Sequence, residues 1–379
     1  MAVLSVAGRR IVSLMGLLLL LCTATVFAAP RPGSNDLFGC RGRRSIRREW
    51  RTLSTYEKKQ FTDAVNCLLC KPGRTPRNLA EGVRSRYDDL VLTHQNQTFS
   101  IHYVGYFLPW HRYYTWTIEK MMRDECGFRG TFPYWAWEND CDNTLPDDQS
   151  KQKFLNSPIW DGTTGFGGNG AFMPTPPGSE GGAPPGRCGG GCVPNGQFKN
   201  MKVNLGPGAA TAYNPRCLSR DNAPYFACWY LSKNGTARTM KATDFINFDD
   251  IVEGGPGFGI SGIHGGGHYG IGGLLGTMGD LFLSPNDPSF WLHHANLDRV
   301  WWSWQRLDSD NMYSMGGPTK LMDKTSPPTQ LTQPITMGQY VGGCGQAGTV
   351  TVNDVMDIRD MCYDYDKYYD VNANNVPPF

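Results

Sequence analysis

The sequence predicts a mainly α chain with long, disulfide-stapled loops and few short strands. Three observations carry that prediction. Apolar residues recur at helical spacing in several separate stretches, some opened by capping signals. Residues 142–240 hold no persistent period, and Gly and Pro dominate 162–191. The chain has twelve cysteines, a density that in an exported protein reads as a disulfide framework.

The elements follow in order. Residues 1–28 read as an export signal. Arg9 and Arg10 precede the apolar run Leu14–Cys22, and Val26-Phe27-Ala28 is a small-residue cleavage site. That leaves 29–379 as a single domain of a secreted, extracellular protein, with Cys22 removed and an odd number of cysteines behind it. One thiol should therefore be free, modified or paired between chains. The basic arm Arg31–Arg51 is expected to wrap the surface.

Ser54-Thr55-Tyr56-Glu57 is a capping box opening a helix with Phe61, Val65 and Leu68 on one face. A second helix spans about 78–94, with Leu79, Val83, Tyr87, Leu90 and His94 on one stripe. Residues 95–106 read as loop and carry His102. Pro109 starts a third helix, whose inward face holds His111, Thr115, Ile118 and Met122. Phe132–Trp137 is an aromatic segment read as core. The 142–240 loop should rely on Cys188, Cys192, Cys217 and Cys228 for staples.

His264 and His268 are spaced i, i+4 and would share a helix face. The three glycines between them each disfavour a helix by about 1 kcal/mol against alanine. Either packing and a bound ion stabilise that helix, or something approaches its backbone too closely for side chains. The segment Asp287–Gln305 is the plainest helix, capped by Asp287 with Pro288 at its first turn. Its apolar stripe, Phe290, Leu297 and Trp301, encloses His294. Past Met312 the chain is rich in Pro and Gly, with one strand-like piece at 349–352 and an aromatic tail at 363–365.

Some function classes drop out early. A formal net charge of +2 offers no basic surface for nucleic acid, and no later run is long enough to span a membrane. Asn96 and Asn234 begin N-glycan acceptor sequences.

The seven histidines are the chemical signal: 94, 102 and 111 form one cluster, and 264, 268, 293 and 294 the other. Two sets of three imidazoles suit copper, zinc, iron or nickel. No matching inward Asp or Glu accompanies the first set, which argues against magnesium, calcium or a carboxylate-bridged di-iron centre. All-histidine zinc stays open on this chemistry.

His102 and His111 within FLPWHRYY, His264 and His268, and the segment DPSFWLHHANLD resemble the two metal motifs of the type 3 copper family: tyrosinases, catechol oxidases and haemocyanins. The likeness covers roughly 50–365 and is nearest to short secreted fungal-type polyphenol oxidases. It implies a four-helix bundle holding two copper ions. His94, His102 and His111 would bind the first, and His264, His268 and His294 the second. His293 would support or pack, and Asp298 would either orient ligands or make a solvent-facing salt bridge.

The resemblance further implies small phenolic substrates and O2, with o-diphenols oxidised to o-quinones. The alternative is a haemocyanin-like O2 binder without turnover. Departures from the family's pattern lower the expectation for monophenols to weak hydroxylation. Gly265 stands where strong monophenol hydroxylases have Asn, and Ile260 where they have Glu, leaving Glu253 as the nearest candidate base. Ser100 stands where many members have a thioether-forming cysteine, so no thioether is expected. Leu281 matches the position of a gate residue over the second copper. Tyr363-Asp364-Tyr365 resembles the motif that closes the catalytic domain, so no C-terminal lid domain is expected and the long loop is the remaining candidate for a lid.

Overall fold

Helix α9 (Ser289–Gln305) is buried along its whole length, which is why it can carry four tryptophans. It starts where the sequence places a cap. Asp287 Oδ1 accepts from the Ser289 N–H at 3.0 Å and from its hydroxyl at 2.8 Å. The computed structural model describes residues 37–40, 44–142, 144–255, 258–345 and 348–369, all within the unit Asp36–Phe379. The export signal at 1–28 lies outside the described residues.

The longer helices before it are α1 (Thr55–Cys70), α2 (Arg86–Ile101), α3 (Phe107–Cys126), α4 (Asp147–Leu155), α5 (Pro224–Leu231), α6 (Lys233–Thr239), α7 (Phe245–Glu253) and α8 (Ile263–Gly272), of which α3 and α8 pack on α9. The fold is mainly helical, with the site built on α2, α3, α8 and α9. The capping box of α1 forms as read: Ser54 and Glu57 each satisfy the other's backbone N–H.

Helix α2 differs from the sequence reading at both ends. It starts at Arg86 because Ser85 and Asp88 make a second capping box, Asp88 Oδ2 accepting from the Ser85 N–H at 2.9 Å. Residues 78–85 are not helical, and Leu79, which the sequence places on the buried stripe, is exposed. The helix continues to Ile101, so most of the expected 95–106 loop is helical and His102 is the residue that ends it.

The basic arm is not a surface wrap throughout. Ser45–Glu49 is the middle strand of a parallel three-stranded sheet, between Pro133–Tyr134 and Tyr363–Tyr365. Arg47 is fully buried there, paired with Glu119 at 3.0 Å. The strand-like piece at Thr349–Thr351 pairs antiparallel with Pro334–Thr336.

Three disulfides join Cys40 to Cys362, Cys67 to Cys126 and Cys192 to Cys217. The last staples the long loop, as expected of two of its four cysteines; Cys188 and Cys228 are not bridged in this structure. That loop is otherwise anchored by charge. Buried Arg220 pairs with Asp287 at 3.0 Å and donates to the carbonyl oxygens of Phe166 and Gly167.

Candidate metal centre

Six imidazoles converge at the middle of the helices. Helix α2 supplies His94 and, at its end, His102; α3 supplies His111; α8 supplies His264 and His268; α9 supplies His294. All six are buried. Within each triad (94, 102, 111 and 264, 268, 294) the possible ligand nitrogens lie within 4.8 Å of one another. The triads face each other: His111 stacks on His294 with ring centres 4.6 Å apart, and His102 on His264 at 5.7 Å.

Hydrogen bonds orient the rings. Nδ1 of His102 bonds the Thr98 carbonyl at 2.8 Å, and Nδ1 of His111 the Phe107 carbonyl at 2.9 Å, each one helical turn back. His94 and His268 reach across to the carbonyls of Phe282 and Met278, at 3.0 and 3.1 Å. Since a carbonyl only accepts, Nδ1 carries the proton in all four, and Nε2 presents a lone pair. Burial depresses the pKa of every ring, to about 4 for His102 and about 3 for His268. The imidazoles are therefore neutral at pH 7.

The Nε2 atoms of His94, His111 and His264 are buried and have no protein partner. An orphaned buried nitrogen costs stability unless something accepts its lone pair. Three neutral imidazoles on each side, with no carboxylate in either triad, form the donor set of a soft-to-borderline metal. The site fits two copper ions.

The glycines of α8 have individual reasons. A Cβ on Gly267 would lie 2.1 Å from the His293 ring, and one on Gly266 only 2.5 Å from Tyr230 Cβ. A helix forms despite its three glycines, and the second alternative raised by the sequence holds: neighbours press on its backbone. His293 is one of those neighbours. Its Nε2 bonds the His264 carbonyl at 3.0 Å, and its ring packs 5.1 Å from Trp137, outside both triads.

Asp298 is buried, which removes the solvent-facing alternative. It accepts from Arg112, from Arg47 at 3.4 Å, and from the hydroxyls of Tyr363 and Tyr365 at 2.6 Å each. Arg112 directly follows His111, so this hub joins the first triad's helix to α9 and the aromatic tail. No ligand ring touches Asp298 in a described hydrogen bond.

A narrow mouth opens on the triads. His102, His264 and His268 border it with Gly265, Leu281 and Tyr103. Glu253 is not among the residues lining this mouth, but it touches one of them. Both its oxygens lie 2.7 Å from the Tyr103 backbone nitrogen, and it lines a neighbouring cavity of about 460 Å3 that shares Tyr103 with the mouth. Burial raises its pKa well above the usual carboxylate range, as does neighbouring Asp249. Ile260 is exposed on the rim of that same cavity.

Sequence reasoning missed Phe290 as a wall of the site: its ring lies 4.1 Å from His294 and 5.7 Å from both His94 and His268. Its place on the apolar stripe of α9 marks it only as core. Tyr103 was missed too. Its backbone sits at φ 52°, in the left-handed region that non-glycine residues seldom adopt.

Helices holding two facing histidine triads define a binuclear type 3 copper protein. The comparisons agree. The family model described as the common central domain of tyrosinase matches residues 84–307. Tyrosinase P of Aspergillus terreus is 36% identical over 301 residues, 74% of this chain and 78% of its own length. An N-acetyl-6-hydroxytryptophan oxidase of Emericella nidulans is 34% identical over 360 residues, 85% of this chain and 92% of its own. Among solved structures, a polyphenol oxidase from Thermothelomyces thermophila superposes with TM-score 0.74 at 35% identity, covering 85% of this chain and 89% of that one. The chain belongs to the tyrosinase family.

Proposed function

We propose that this protein is a secreted dicopper polyphenol oxidase that oxidises o-diphenols to o-quinones, with at most weak hydroxylation of monophenols. His94, His102 and His111 hold the first copper, and His264, His268 and His294 the second. When bound, the metals supply the redox chemistry: two diphenols give up four electrons in all, and O2 is reduced to two waters. The protein contributes rigid, neutral ligands and a dry, narrow approach. Leu281 at the rim is the gate, Gly265 leaves the rim open, and Asp298 steadies the first triad through Arg112.

The observation that carries the choice of diphenols is the composition of the mouth, where no carboxylate lies among the described lining residues. A diphenol brings the protons that water formation needs. A monophenol must first lose its proton to a base within hydrogen-bond reach, and the Glu253 carboxyl, whose acid form burial favours, is engaged with the Tyr103 N–H. The disulfides and the N-terminal signal support secretion, with N-glycans at Asn96, exposed on α2, and Asn234, half-buried in α6.

The test measures copper content and turnover of catechol and of tyramine on the same preparation. The expected result is about two coppers per chain, rapid catechol oxidation and slow tyramine turnover. His294→Ala should hold about one copper and lose both activities. A fully loaded protein that turns over neither substrate would point to O2 carriage, and equal turnover of the two would sink the diphenol preference.

A further inference from the structure

Among the described residues, five cysteines stand outside the three bridges, and two of them, Cys141 and Cys228, are buried. Their sulfurs lie 2.7 Å apart, although 87 residues separate them in the chain. Carbon atoms that share no bond rest roughly 3.5–4.0 Å apart, and sulfur is larger. A covalent bond between two sulfurs needs about 2.0 Å. The pair is therefore closer than two thiols can comfortably sit, and a bond is the arrangement that relieves the contact. We propose that Cys141 and Cys228 are joined in the mature protein by a fourth disulfide.

The surroundings suit a bridge better than other uses of two thiols. Among the described residues the only groups able to gather round a metal are the two histidine triads, so no third ligand makes this a metal site.

The position is also structurally central. The Cys141 N–H donates to the Trp137 carbonyl at 2.9 Å, and the Trp137 ring packs on His293. Cys228 sits in α5, next to Ala227, whose Cβ would be 2.6 Å from a Cβ on Gly270 of α8. The bridge would tie the aromatic segment to the helix that backs the second triad.

Bond formation needs an external disulfide as oxidant, such as that of a secretory dithiol oxidase or oxidised glutathione. Each cysteine gives up its proton. One sulfur first forms a mixed disulfide with the oxidant, expelling a thiolate. The second sulfur then attacks, the S–S bond forms, and the oxidant leaves as two thiols. Because both sulfurs end buried, this exchange precedes the docking of α5.

The experiment uses protein secreted from a eukaryotic host, unfolded without reductant and alkylated with N-ethylmaleimide. Trypsin should release peptides 130–151 and 221–233, each with a single cysteine. The expected result is one disulfide-linked pair of these peptides that separates on reduction. The three bridges already described serve as internal controls. If those are intact while both peptides carry N-ethylmaleimide, the proposal is overturned. In a Cys141→Ser variant Cys228 should become labelled; Cys228 found instead in another bridge, in that variant or in the wild type, would overturn the pairing.

Discussion

At Asp298 four donors meet one carboxylate: two guanidinium groups and two phenols. Removing one partner of a buried ionic network leaves charges without compensation, which typically costs about 3–5 kcal/mol. Asp298→Ala should therefore unfold at markedly lower urea, with a stability loss of at least about 3 kcal/mol. Its residual folded fraction should hold copper less tightly, because Arg112 adjoins His111. A urea titration with copper analysis tests both. The ligand rings make a second prediction at this scale. Burial lowers the His102 pKa from 6.5 to about 4, so as pH falls the unfolded chain takes up a proton that the folded one refuses. Stability is present above pH 6.5 and is lost on the way down to about 4. The gap is worth roughly 3 kcal/mol from His102 alone. Metal-free protein should show a urea midpoint that drops between pH 7 and pH 4.5, and a flat profile would contradict the neutral-imidazole reading.

Among the elements, α8 is the most informative, because its sequence argues against the conformation it adopts. Three glycines between two ligands weaken the helix, yet each makes room for a neighbour that a larger residue would displace. Gly267→Ala tests this directly. On propensity alone alanine should stabilise the helix by about 1 kcal/mol. Against the His293 ring it should instead destabilise by about 1–3 kcal/mol, the usual cost of overpacking. A lower thermal midpoint together with weakened copper retention is the expected outcome, and a raised midpoint would refute the close-approach account. Helix α2 teaches the opposite lesson. Its capping box at Ser85 and Asp88 was readable in the sequence, but an apolar stripe extended back to Leu79 hid it. A local cap outweighs periodicity at a boundary because it satisfies backbone groups that the stripe leaves open.

For the whole molecule, metal and fold are coupled. The buried, unpartnered nitrogens of His94, His111 and His264 favour whatever binds them in the folded state only. Chelation of copper should lower the thermal midpoint, and readdition should restore it in proportion to the logarithm of free copper. A midpoint indifferent to copper would mean that the triads are structural. The Cys40–Cys362 bridge fastens the segment just ahead of the central strand to the residue preceding the strand it pairs with. That closure joins the two ends of the described chain.

The sequence by itself determined the helical class and the start of α1 and α9, because caps act within one or two helical turns, and its resemblance to a known family marked the donor histidines. His102 and His111 even find their orienting carbonyls at i−4, within that same range. Only the tertiary structure decided the rest. The carbonyls of Phe282 and Met278 aim His94 and His268, His293 crowds Gly267, and Glu253 binds the Tyr103 N–H. Cysteine pairing belongs to the same group. Each of these depends on residues brought together from distant parts of the chain, and such proximity is set by how the helices pack, which no local pattern encodes.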